Sequence, residues 1–201
     1  MKRQPLDGVT VLDFGQVYNG PYAGFLLAQA GARVIKVESP IGETLRARGA
    51  RSPSSYPFAL LNTNKECITL NIKSPAGQGL LKRLIPNVDV VLENFAPGTM
   101  GRYGIGADAL RALTRRLVYA SSTGYGSVGP YRDFLGMDIT LQAMTGVMSV
   151  TGEDGGPPLK TAAAFADFIA GTHLYAGIVS ALYAREHSGE GATVDISMQD
   201  C

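Results

Sequence analysis

The stretch Val9-Thr-Val-Leu-Asp-Phe14, followed by Gly15-Gln-Val-Tyr-Asn-Gly-Pro21, decides the fold class. An apolar, β-branched run ended by a Gly-bearing segment reads as a strand entering a turn. Tyr22 to Ala30 then reads as a helix closed by Gly31, and Arg33-Val-Ile-Lys-Val-Glu38 as a second strand. A strand, a helix and a strand within about thirty residues make a βαβ unit, and so a parallel sheet with helices packed on it. The predicted class is α/β: a Rossmann-like, open, mostly parallel sheet with flanking helices. Gly15, Gly20 and Gly24 have the wrong spacing for the dinucleotide fingerprint, so no NAD site is expected in this turn.

Working outward, Ser39 to Tyr56 is read as a loop, in which Arg46, Arg48 and Arg51 either meet phosphates or form a solvated surface. Glu66 to Asn71 is strand-like. Ser74 to Leu84 has helical spacing, with Ser74 as cap and Pro75 at the first helical position. Asp89 to Asn94 is a strand that opens into Phe95-Ala-Pro-Gly-Thr-Met-Gly-Arg102-Tyr-Gly. Ligands of open α/β sheets gather at the carboxyl ends of strands, so this loop and the one after Phe14 are natural walls of a site. Asp108 to Arg115 is a short helix and Leu117 to Ser122 a further strand, followed by the Gly-rich loop Thr123-Gly-Tyr-Gly-Ser-Val-Gly-Pro130. Met137 to Val150 reads as one helix, Thr151 to Pro158 as an exposed turn, and Val194 onward as a strand. No repeat or linker divides residues 1–201.

With 201 residues the chain can bury a sizeable core, and 45% hydrophobic against 17% charged residues is ordinary globular composition. A net charge of +1 gives no general pull toward nucleic acid or a membrane surface. Cys67 and Cys201 are too few for a disulfide framework or a zinc site, which points to a reducing compartment. The N-terminus lacks an apolar signal-peptide region, and the run Phe168 to Tyr183 falls short of the roughly 20 apolar residues that span a bilayer. The expectation is a cytoplasmic protein with no membrane segment and no bound metal.

One carboxylate stands out. Asp167, in Thr161-Ala-Ala-Ala-Phe-Ala-Asp167-Phe-Ile-Ala-Gly171-Thr-His173, sits among small and apolar residues where a helix running to about His187 could begin. A helix N-cap is the simple account. The helix dipole at that place would also keep the carboxylate ionised, as a nucleophile attacking an activated acyl carbon must be.

Leu6-Asp-Gly-Val-Thr-Val-Leu-Asp-Phe14, Gly20-Pro21, Gly31-Ala-Arg-Val-Ile-Lys-Val-Glu38, Leu92-Glu-Asn-Phe-Ala-Pro-Gly98, Gly124-Tyr-Gly126, Gly129-Pro-Tyr131 and the Asp167 stretch are collinear over nearly the whole chain. In this joint order the sequence resembles the class III CoA-transferase family, which includes formyl-CoA:oxalate and carnitine CoA-transferases and α-methylacyl-CoA racemase. The resemblance implies a catalytic Asp167 that passes through an aspartyl anhydride and an aspartyl-CoA thioester. Coenzyme A or acyl-CoA would be substrate, with no permanently bound cofactor. The partners would be an acyl-CoA donor, a carboxylic acid acceptor and a second copy of the chain in an interlocked homodimer.

The resemblance also implies roles for further residues. Gln16 to Asn19 would border CoA and the acyl group, with Gln16 or Tyr18 offering a donor to a developing oxyanion. Leu70 to Lys73 and Asn94, Phe95 and Ala96 match CoA-contacting segments, and Arg102 an arginine at the nucleotide end. Asp138 matches an acidic position near the active site, although capping its own helix is the simpler account. His173, six residues after Asp167, does not share its helix face.

Two departures matter. Racemases carry a His thirty residues before the catalytic Asp; here Met137 stands there and can neither take nor give a proton, which favours transfer over racemisation. Family members are also about twice this length, with a small domain and a Gly-rich lid expected after residue 201, so an inactive CoA-binding fragment is a further reading.

Overall fold

The computed structural model describes residues 3–47 and 55–201. Arg48 and Arg51 lie outside the described residues. Six strands, β1 (Thr10–Asp13), β2 (Arg33–Glu38), β3 (Glu66–Thr69), β4 (Val90–Glu93), β5 (Val118–Thr123) and β6 (Thr193–Ser197), form one sheet in the order β3-β2-β1-β4-β5-β6. Every pairing is parallel, with Val11 opposite both Val34 and Val90. The direction of winding reverses between β1 and β4, which opens a crevice at their carboxyl ends.

The helices are α1 (Asn19–Gln29), α2 (Thr44–Ala47), α3 (Tyr56–Leu61), α4 (Pro75–Leu84), α5 (Thr99–Arg102), α6 (Ala107–Arg111), α7 (Asp138–Met144) and α8 (Phe165–Ser188). Alternation along β1 assigns the two faces: Val11 packs with Leu27, Leu174 and Ile178 of α1 and α8, whereas Leu12 packs with Leu81 of α4 and Leu110 of α6. Each of these side chains is essentially excluded from water, a burial that stabilises by about 1.5–3 kcal/mol apiece. Gly171 lets α8 approach α1 closely, since a Cβ there would lie 2.7 Å from the Asn19 carbonyl oxygen.

By length and composition α8 is apolar enough to cross a membrane, contrary to the expectation from Phe168 to Tyr183. Here it lies against α1, β5 and β6 and buries Ala170, Leu174, Ile178 and Leu182 between them. The sequence reading needs other corrections. The loop expected over Ser39 to Tyr56 contains α2, and α3 begins at Tyr56, where Ser55 Oγ caps by accepting from the Phe58 amide. The single helix expected from Met137 to Val150 stops at Met144; Gly146 takes a left-handed φ of 82°, and a 3-10 turn over Val147–Val150 follows. Asp108 to Arg115 is helical only to Arg111.

A buried ionic cluster lies beneath the loop after β1. Lys65 Nζ donates to Asp13 Oδ2 at 2.7 Å, to the Pro21 carbonyl at 2.9 Å and to Asn62 Oδ1 at 3.0 Å. Lys36 Nζ donates to the Gly15 carbonyl, and the Gly15 amide donates to Asp13 Oδ1 at 2.7 Å. Burial opposes ionisation of Asp13, but the charges of Lys65 and Lys36 outweigh it and hold the carboxyl below its ordinary value.

Candidate functional site

The loops leaving β1 and β4 are tied to each other across the crevice. The Gln16 amide donates to Asn94 Oδ1 at 2.7 Å, and Asn94 Nδ2 returns to the Gln16 carbonyl at 3.0 Å. Val17, at φ 62°, is held from the other side, where its amide donates to Glu43 Oε1 at 2.9 Å. A β-branched residue in the left-handed region is strained, and such strain gathers at sites whose surroundings fix it. Beside this joint opens a cavity of about 770 Å³.

The cavity gathers Gln16, Tyr18, Asn94, Phe95, Ala96, Asp138 and Asp167, with Met137 and Lys160 also in the wall. Its apolar lining comes from Leu60 and Leu61 of α3, a helix that sequence reading missed, and from Leu135, Ile139, Phe168 and Met198. The signal for α3 was the Ser55-Tyr-Pro57 pair of cap and early proline, set in a segment otherwise rich in Pro and Gly. Of the expected residues, the structure does not bring four to the cavity. Asn19 is fully buried, and its Nδ2 donates to Ser122 Oγ at 2.9 Å. Leu70 is buried in the core beside Val37 and Leu81, and Lys73 is exposed. Arg102 is exposed and folds back to donate to the Pro97 carbonyl at 3.2 Å and to Thr99 Oγ1 at 2.9 Å.

Asp167 is not the cap of its helix. It is the third residue of α8, and the cap position is Ala164, which offers no side-chain acceptor. The cap comes from another helix: Asp138 Oδ1 accepts from the amides of Ala166 at 2.9 Å and Asp167 at 3.3 Å. Asp138 therefore serves α8 and not its own helix, whose cap position is Met137. The expected ionisation of Asp167 is corrected as well. Burial, and then the Asp138 carboxylate, push the Asp167 carboxyl up to about 7, against the opposing pull of the Asn19 backbone amide. Burial likewise raises Glu93, at the end of β4, to about 7, despite donors from the Phe95 amide at 2.8 Å and the Tyr119 hydroxyl at 3.2 Å.

These shifts set a pH dependence of stability. In an unfolded chain both groups titrate near pH ~4, so the folded state holds their protons more tightly. That contribution is complete below pH ~4 and is lost as pH rises through about 7. Asp13 acts oppositely, because its depressed value supplies stability above pH ~4 that is lost on further acidification. Thermal melts should therefore show a maximum near pH ~5 and a lower midpoint at pH ~8. A midpoint at the alkaline end equal to or above the acidic one would contradict this assignment.

His173 is exposed, with Nδ1 at 2.9 Å from the Ile169 carbonyl, and takes no part in the cavity. Among the described residues no group of three His, Cys, Asp or Glu gathers to hold a metal ion.

A crevice at a strand-order reversal, with a half-buried carboxylate in its wall, defines an α/β domain built to act on a ligand that enters over the strand ends. The model of CoA-transferase family III matches residues 6–201, and the chain belongs to that family. It is 45% identical over 201 residues to a formyl-CoA:oxalate CoA-transferase of Streptomyces coelicolor, covering 99% of this chain and 49% of the relative. It is 39% identical over 208 residues to a succinate–glutarate CoA-transferase of Agrobacterium fabrum, covering 99% and 52%. Among solved structures, a CaiB/BaiF family protein from Brucella suis superposes with a TM-score of 0.94 at 37% identity, covering all of this chain and 55% of that one. The chain spans about half the length of the curated relatives it matches.

Proposed function

We propose that this chain carries the CoA-binding and nucleophile-bearing portion of an enzyme that moves coenzyme A from an acyl-CoA to a free carboxylic acid, with Asp167 as the covalent centre. The observation that supports this most is the placing of Asp167: half-buried, at the wall of a cavity of about 770 Å³, at the end of the sheet where strand order reverses. Its relatives' names point the same way.

In this reading an Asp167 oxygen attacks the thioester carbon and the CoA thiolate leaves, giving a mixed anhydride. The thiolate then attacks the Asp167 carbonyl carbon and releases the donor acid, leaving an aspartyl-CoA thioester. The acceptor carboxylate displaces the thiolate again, and the thiolate finally takes the acceptor's acyl carbon and frees Asp167. A carboxylate is a modest nucleophile, but the thioester is activated and the anhydride preserves that activation. Gln16 and Tyr18 line the cavity, and the Gln16 side-chain amide and the Tyr18 hydroxyl can donate to a developing oxyanion. The apolar lining from Leu60, Leu61 and Phe168 lowers the polarity around a hydrolysable anhydride. Phe95 and Ala96 would carry CoA at the mouth. Arg102, at the end of α5, is exposed, and its guanidinium, held by the Pro97 carbonyl and Thr99 Oγ1, could meet a CoA phosphate there.

Met137 lines the cavity beside Asp138 and carries no exchangeable proton, so two-base racemisation lacks a partner for Asp167. A second copy of the chain, a lid and small domain in sequence beyond Cys201, and a cytoplasmic setting belong to the same proposal.

The test is covalent trapping. When the protein is mixed with short acyl-CoAs and hydroxylamine, peptide mass spectrometry should find a hydroxamate on Asp167. The yield should rise with pH as the carboxyl ionises, with a midpoint about 7. A folded sample that acquires no adduct on Asp167, or acquires it elsewhere, defeats the proposal.

A further inference from the structure

Gln142 is fully buried, yet it is polar and does not line the cavity. A buried amide without partners is costly, so its bonds show what it is for. From the middle of α7, Nε2 donates to Asp138 Oδ2 at 2.6 Å and to the Ala163 carbonyl at 3.4 Å, while Oε1 accepts from the Thr161 amide at 2.8 Å. One side chain thus spans two objects: the carboxylate that caps α8, and the segment Thr161 to Ala163 that leads into α8 and forms the cavity wall. An amide provides this combination at every pH, a donor toward a carboxylate and a carbonyl together with an acceptor for an N–H.

We propose that Gln142 is a positioning residue: it locks Asp138 under the first turn of α8 and so fixes both the place and the electrostatic surroundings of the Asp167 carboxylate. Each link is short. Gln142 grips one oxygen of Asp138; the other oxygen receives the amides of Ala166 and Asp167. Three charge-assisted bonds around one carboxylate leave it little freedom, and its negative charge stays beside Asp167. The groups that act on the Asp167 carboxyl are Asp138 from α7 and the Asn19 amide at the start of α1, while Tyr18 and Lys160 line the same cavity. Of these, Asp138 is the acidic one, and Gln142 is what holds it. Without Gln142 the Asp138 side chain is free to rotate toward solvent, the first turn of α8 loses its cap, and Asp167 loses its like-charged neighbour.

The inference rests on Asp167 being the covalent centre, but one of its readouts does not. The first measurement is an NMR titration of the protein carrying carboxyl-labelled aspartate, with the Asp167 resonance identified by its loss in Asp167→Asn. In Gln142→Met, which keeps side-chain length and removes all three bonds, the Asp167 midpoint should fall by about one pH unit, because the like charge is no longer held beside it. The second measurement is hydroxamate formation at saturating acyl-CoA, which should fall about a hundredfold in the same variant through misplacement of the attacking oxygen.

Gln142→Glu gives the rescue. Facing Asp138 at hydrogen-bond distance, the two carboxyls share one proton, which restores a donor to Asp138 and an acceptor for Thr161. Its Asp167 midpoint should lie at or above the wild type, since the pair always keeps at least one negative charge beside Asp167, and its trapping rate should follow the wild type near pH ~6 and fall behind as the pair loses the shared proton. Should Gln142→Met unfold, this divergence carries the test alone. An unchanged midpoint in folded Gln142→Met, or parallel pH profiles for Gln142→Glu and wild type, would show that Gln142 only fills space and overturn the proposal. If the wild type itself forms no hydroxamate, the reading of Asp167 as nucleophile fails, while the titration still decides on Gln142.

Discussion

Asp167→Asn protein should form no hydroxamate with any acyl-CoA, a loss of at least about 10⁴-fold, while binding CoA within about threefold of the wild type. The amide occupies the same volume, so the cavity keeps its shape, but it has no lone pair able to attack a thioester. The loss should therefore appear in the chemical step and leave binding to the CoA contacts proposed at Phe95 and Ala96. The same variant should unfold at a higher temperature than the wild type above pH ~7, since burial penalises the Asp167 charge that the amide never carries. That gain should shrink as pH falls and vanish below ~4, where the wild-type carboxyl is protonated in both the folded and the unfolded chain. A variant inactive and less stable at every pH would have lost structure instead of a nucleophile. Undiminished trapping would remove Asp167 from the chemistry altogether.

The largest stability effect should come from beneath the first loop. Asp13→Ala strands the ammonium of Lys65, whose side chain is 0% exposed, and takes from Lys36 one of the carboxylates it faces, leaving Glu38. Breaking a buried pair by removing one partner costs about 3–5 kcal/mol, which is a large share of the 5–15 kcal/mol that typically holds a domain together. Lys65→Met should cost less, because Lys36 remains to offset the Asp13 carboxylate and the apolar stem is replaced in kind. Urea unfolding of the two variants measures the difference. The effect should extend to the site, since Asp13 Oδ1 also anchors the Gly15 amide from which Gln16 and Tyr18 project. Equal costs for the two substitutions would mean that Lys36 does not share the Asp13 charge.

The β1–α1–β2 unit was legible because its signals are local: β-branched runs, a helix closed by Gly31, and a second run at the spacing that only a parallel crossover satisfies. Ser74 and Pro75 were legible for the same reason, and the Ser74 cap bond to Gly77 is present at 3.1 Å. What escaped was tertiary. Asp138 reads as a cap for its own helix because a sequence shows neighbours, whereas its true partners, Ala166 and Asp167, lie 28 and 29 residues away. The ionisation of Asp167 was misjudged for the same reason: a dipole is visible in the chain, but burial and an acid from another helix are not. Helix α3 was hidden by prolines and glycines that are equally at home in a loop.

The loop between Gly124 and Gly136 closes on itself. A Cβ on Gly124 would stand 2.6 Å from the Gly136 Cα, and within the loop Tyr125, Tyr131 and Phe134 pack ring against ring. Gly124, Leu135 and Gly136 border the cavity, while Tyr125 packs on Leu141, Ala166 and Met198, and Ser127 donates from its amide and its hydroxyl to Asp195 Oδ2 of β6. The exposed outer stretch, residues 128–134, is the modular part: it can be exchanged, lengthened or randomised while Tyr125 and Ser127 hold its base to α8 and β6, which makes it the natural cassette for directed evolution of what the cavity admits.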